Sequence, residues 1–116
     1  MGENEKTVEE AMLDAVKLAL AVTVNDYDSE ITDLIDAALL DLKSNGIDTD
    51  SLAESAATID KLLLQAVKTY ARAHFRSPAD YDRLDSAYKE QKGHMMLAKG
   101  YGYKPEEPED GEGGEG

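Results

Sequence analysis

The 116-residue chain contains no cysteine, which excludes disulfides, thiolate metal sites and cysteine nucleophiles and leaves the redox compartment open. It is also short of positive charge: 12 Lys and Arg stand against 25 Asp and Glu, for a formal net charge of −13. Tight nonspecific binding to nucleic acid is thereby disfavoured, since that affinity comes mainly from lysine and arginine displacing counterions from phosphates. Long apolar runs are missing too. None approaches the roughly 20 residues of a membrane span, and the start, Met1-Gly2-Glu3-Asn4-Glu5-Lys6, lacks the basic and apolar regions of a signal peptide. The expectation is a soluble protein made in the cytoplasm, with no membrane partner. Histidine is scarce: His74 and His94 are far apart, and neither has a second ligand at a metal-typical offset. No coupled pair or triad nominates acid–base or nucleophilic chemistry, so no catalytic residue, cofactor or metal is expected.

What is present reads as helices around one core, which suits a chain of this length. Thr7-Val8-Glu9-Glu10 fits a capping box, after which Val8, Met12, Val16, Ala19 and Leu20 share one face to about Ala21. A second helix spans about Asp28 to Lys43, with Ile31, Leu34, Ile35, Ala38, Leu39 and Leu42 inward and Asp33, Asp36 and Asp41 projecting away. Asn45-Gly46 ends it, with glycine suited to the left-handed position beyond a helix. A polar loop follows, with room for one helical turn after Asp50. The third helix, about Thr58 to Phe75, has an apolar face of Ile59, Leu63, Ala66, Val67, Tyr70 and His74. Pro78 forces a break, because the residue before proline avoids the helical region. A fourth helix then runs from Asp80 to about Lys92. The fold class expected is all-α, a small bundle of about four helices over residues 1–104. Leu34, Ala38, Leu63, Val67 and Tyr70 should hold its second and third helices together. Pro105 to Gly116 carries six acids and no base, and this acidic, glycine-rich tail lacks material for a core and is expected to be disordered.

Several constellations invite functional readings. A calcium loop starting at Asp26 would need glycine sixth and glutamate twelfth, where Ile31 and Ala37 stand; from Asp48 those places hold Ala53 and Ile59. Helix capping explains these acids better. His74 lies on or beside the apolar face of its helix, which suits a packed neutral imidazole. The bases of the third helix are more informative. Lys61, Lys68, Arg72 and Arg76 fall within about 80° of one another on a helical wheel, opposite the apolar face. This stripe is either a solvated face or a contact with a neighbouring subunit or with nucleic acid. A last apolar segment, Met95-Met96-Leu97 with Tyr101 and Tyr103, either packs back on its own core or docks on a neighbour.

Taken together, Val16-Lys17 and Leu20, the acidic cap Asp28-Ser29-Glu30 before Ile31, Leu34, Ile35 and Ala38, then Gly46, Ala66-Val67, Tyr70, Ala73, Phe75, Pro78, Leu84 and Tyr88 form a pattern. It resembles the small head–tail connector (adaptor, or head-completion) proteins of tailed bacteriophages over roughly Leu13 to Tyr103. Two departures stand out: that family commonly has glycine where this chain has Arg76, and the acidic tail is not a usual feature.

The resemblance implies a structural virion subunit that catalyses nothing. Such subunits form a ring, twelve-fold in the particle, beneath the portal at the capsid vertex, after assembly in the host cytoplasm. The ring extends the DNA channel and offers a surface to the stopper or tail-completion protein. An acidic lumen would keep the passing DNA from adhering to the wall. Lys61, Lys68, Arg72 and Arg76 are then candidates for one side of a subunit contact, with Asp33, Asp36 and Asp41 for the other, and Met95, Met96, Leu97, Tyr101 and Tyr103 as a docking arm. The alternative is a monomeric or dimeric acidic helical adaptor or regulator that binds a basic protein partner.

Overall fold

The computed structural model describes residues 6–98 and 100–102. Tyr103 and the acidic tail from Pro105 lie outside the described residues. Among the described residues five α-helices follow in order: α1 (Val8–Leu20), α2 (Asp28–Ser44), the single-turn α3 (Thr49–Leu52), α4 (Lys61–His74) and α5 (Tyr81–Leu97), with a 3₁₀ turn at Ala56–Thr58. Among the described residues the only β pairing is an isolated antiparallel bridge between Ile47 and Gly102.

Local chemistry sets the helix starts. Thr7 and Glu10 form the expected capping box, with Glu10 N donating to Thr7 Oγ1 at 3.1 Å and Thr7 N to Glu10 Oε1 at 3.0 Å. Asp48 caps α3 by accepting from Ser51 N. Asp60 caps α4 by accepting from the amides of Leu62 and Leu63 at 3.0 and 3.1 Å. The Asp60 cap moves the start of α4 to Lys61 from the expected Thr58, and the residues before it form the 3₁₀ turn instead. Gly46 has φ +90°, the left-handed position expected beyond α2. At the end of α1 the same role falls to Ala21, with φ 60°.

Helix α4 is the hub, packed against α1, α2 and α5. Its Leu63, Ala66, Val67 and Ala71 are buried with Met12 and Val16 of α1, Ile31, Ile35, Ala38 and Leu42 of α2, and Tyr88 and Met95 of α5. Leu34 and Tyr70 are partly buried against this cluster, so all five residues expected to join these two helices do contribute. On α1, Ala19 is exposed and Leu13 packs on the core in its place. His74 is exposed rather than buried, although its ring lies 4.3 Å from that of Tyr70 and 5.6 Å from that of Tyr81. Helix α5 passes straight through Gly93 to Leu97 instead of stopping near Lys92. A mid-helix glycine costs about 1 kcal/mol relative to alanine, and burying Met95 completely more than offsets it, since a fully buried methionine side chain contributes roughly 1.5–3 kcal/mol.

Candidate subunit interface

The outward side of α4 follows from its period. Lys68 and Arg72 lie seven and eleven residues beyond Lys61 and so share a face. With Leu64, Gln65, Thr69 and Ala19 of α1 they line a groove of about 350 Å³. Every other described base is ion-paired inside the chain: Lys6 with Asp14, Lys17 with Asp28, Lys43 with Asp50, Arg76 with Glu30, Arg83 with Asp80, Lys89 with Asp85 and Lys92 with Asp41. Among the described residues, Lys61, Lys68 and Arg72 have no ion-pair partner. In a chain with twice as many acids as bases, that leaves a basic ridge without internal compensation.

Arg76 does not continue the stripe. Helix α4 ends at His74, Phe75 is extended, and Arg76 and Ser77 take left-handed conformations at φ 61° and 52° before Pro78. The turned backbone carries the guanidinium to the start of α2, where Nη2 donates to Glu30 Oε1 at 2.9 Å. There it lies over the rings of Tyr27 and Phe75, 4.7 and 5.5 Å from their centroids. Its partner is thus its own chain.

Of the acids proposed as counterparts, Asp33 and Asp36 are exposed on α2. Asp41 does not project away as expected. It faces α5, where Oδ2 accepts from Tyr88 Oη at 2.6 Å and Lys92 Nζ at 2.8 Å. Partial burial alone would raise the carboxyl pKa, but the hydrogen bonds from Lys92 and Tyr88 outweigh it and hold Asp41 below the usual carboxylate range. Burial and then the bond to Asp41 push the Tyr88 phenol up. Hydrophobic period could not separate Asp41 from Asp33 and Asp36, because nothing in α2 alone shows that α5 will cross it there.

The apolar arm divides. Met95 is fully buried in its own core, whereas Met96 and Leu97 are 51% and 88% exposed. Tyr101 packs back on the fold: its hydroxyl donates to Asp60 Oδ1 at 3.0 Å, and its carbonyl accepts from Asp48 N at 2.8 Å. Asp60 therefore caps α4 with one oxygen and anchors the segment behind α5 with the other. Burial, then the bond to Asp60, push the Tyr101 phenol up.

A second surface, not expected from the sequence, forms where α3 folds beside α1 and α2. Val8, Met12, Ile35, Leu39 and Ala53 make the apolar floor of a groove of about 380 Å³, rimmed by Glu9, Asp36, Asp50 and Glu54. Glu9, Asp36 and Glu54 each flank an apolar residue in sequence, which is visible locally, but the groove exists only because the polar loop closes over α1. Among the described residues, no group of three or more His, Asp or Glu side chains is placed to hold a metal ion, and no helix is long and apolar enough to cross a membrane.

No curated protein and no solved structure matches the chain significantly. The sequence model of the phage connector proteins matches residues 12–102. This span opens at Met12, on the floor of the acidic groove, takes in the basic ridge, and closes at the Gly102 bridge. On that match the chain belongs to the phage connector protein family, whose members are structural, virion-associated components of the head–tail interface.

Proposed function

We propose that this protein is a ring adaptor beneath the portal, extending the DNA channel and joining the capsid to the stopper or tail. The observation that carries the reading is the family match over residues 12–102, which takes in nearly all of the described fold. Two physical features support it. A closed ring needs two different surfaces on each subunit, one to give and one to receive, and this fold carries a basic ridge and an acidic groove that share no residue. A net charge of −13 disfavours adhesion of the passing genome, because like charge repels the phosphates. In this reading the protein catalyses no reaction, and its partners are further copies of itself, twelve in the particle, together with the portal and the stopper or tail-completion protein.

The test is reconstitution. Heads produced without this protein should carry a portal but no tail, and adding purified protein should place a ring on the portal in averaged electron micrographs and restore tail joining. Infectious particles formed in its absence, or density for it away from the portal vertex, would refute the reading.

A further inference from the structure

We propose that the acidic groove of one copy receives the Lys61–Lys68–Arg72 ridge of the next, forming a head-to-tail contact intrinsic to this chain. The inference deepens the ring reading and rests on it for closure of the ring, but the contact itself is argued from the surfaces alone. Lys61, Lys68 and Arg72 are the described bases that find no acid within the chain, even though the chain carries 25 acids against 12 bases. The rim of the groove holds the complement. Glu9, Asp36 and Glu54 are exposed and, among the described residues, unpaired, and Asp50 meets only Lys43 at 3.4 Å, across a largely solvated gap.

Polarity agrees with charge. The ridge is not bare charge, since Leu64 and the long stems of Lys61, Lys68 and Arg72 bring apolar surface with them. The groove offers Val8, Met12, Ile35, Leu39 and Ala53 beneath its acidic rim. An apolar centre with a charged border is the anatomy of a protein contact, in which the rim sets orientation and the floor supplies affinity. Because the two surfaces are different patches, the contact is heterologous and propagates from copy to copy, as a ring requires. The sequence suggested Asp33, Asp36 and Asp41 as acceptors; Asp41 is committed to Tyr88 and Lys92 and Asp33 does not line the groove, so Asp36 alone carries over.

The test uses the intact chain. Equal amounts of unlabelled and ¹⁵N-labelled protein are mixed at high concentration and low salt, treated with a carbodiimide that joins amines to carboxylates in contact, and digested for mass spectrometry. Mixed-isotope peptides linking Lys61 or Lys68 to Glu9, Asp36, Asp50 or Glu54 are expected, and they should fade as salt is raised. Reversing Lys68→Glu with Arg72→Glu, or Asp36→Lys with Glu54→Lys, should each weaken self-association by about tenfold or more. Combining all four in one chain should restore it, because the charges are complementary again, and no merely structural role for these residues would produce that rescue.

Links from the ridge to carboxylates of the acidic tail, in the same copy or another, would overturn the proposal, and so would failure of the four-fold variant to recover while its helical signal stays intact. Absence of any intermolecular link overturns it as well. The outcomes also separate it from the ring reading. Self-association through these faces without portal attachment would sustain the contact and refute the adaptor role. Portal-bound rings whose links bypass both surfaces would do the reverse.

Discussion

Replacing Asp41 by alanine removes the acceptor shared by Tyr88 and Lys92 and probes how α5 is fixed to α2. The Lys92–Asp41 pair is partly solvated, with side chains 19% and 37% exposed, so screening limits it to about 1 kcal/mol. Tyr88 is buried, and stranding its hydroxyl adds roughly 1–2 kcal/mol. A loss of about 2–3 kcal/mol should lower the melting temperature by on the order of 10–20 °C in a domain of this size. Circular-dichroism melts of Asp41→Ala, Tyr88→Phe and the double variant form the assay. The double variant should be more stable than the sum of the single losses implies, because the two residues share one bond. The pH dependence has a definite sign. Asp41 has a folded pKa below its ordinary value, so its contribution is complete above the ordinary carboxylate range and is lost as pH falls through the lowered value. The gap between parent and Asp41→Ala should therefore close in acid. A melt within about 2 °C of the parent at neutral pH would, by the same scale, leave less than 1 kcal/mol for the node and refute the argument.

Leu63→Ala, at the centre of the buried cluster, should cost about 2–5 kcal/mol in denaturant unfolding, and an unchanged midpoint would reject its place in the core. Ala21 sits in a glycine-like conformation and Gly93 in mid-helix with open space where a Cβ would stand, so Ala21→Gly and Gly93→Ala should each stabilise by about 0.5–1 kcal/mol, read as raised melting temperatures. At Arg76, with φ 61°, alanine keeps the backbone strain and loses the contacts to Glu30, Tyr27 and Phe75, whereas glycine relieves the strain; melts should rank Arg76→Ala below Arg76→Gly. Gel-shift titration should show little or no duplex DNA binding near physiological salt, and tight sequence-specific binding would favour a regulator over a connector.

Most of the fold was legible because it rests on local chemistry. The capping box at Thr7, the left-handed Gly46 and the apolar stripes of α2 and of α4 as far as Tyr70 are properties of short windows, and they appear as the sequence suggests. The misses have a common physical cause, namely tertiary contacts that outweigh a local signal. The fourth helix is expected to end near Lys92, yet Met95 finds a buried site that carries α5 past Gly93. Asp41 reads as one more solvent-facing acid, yet α5 crosses above it. Arg76 continues a wheel that α4 itself abandons at His74. The glycine that the resemblance leads one to expect at this place was the available clue there, since φ 61° is a conformation glycine would adopt freely. The acidic groove needed three elements at once, and no window of one helix contains it.

A chain with a net charge of −13 should resist packing against copies of itself, and the geometry of the charge decides whether it does. At physiological ionic strength the Debye length is about 8 Å, shorter than the roughly 20 Å length of a helix such as α1. Acids on remote faces are therefore largely screened from one another, while groups brought into contact across a seam are not. Local complementarity can then win although the totals repel, provided that the bases at the seam are not already neutralised within their own chain. Lys61, Lys68 and Arg72 meet that condition among the described residues; Arg76, held by Glu30, does not. The sign of the salt effect distinguishes the two regimes. If global repulsion governs, added salt promotes association, and if the seam governs, added salt dissolves it.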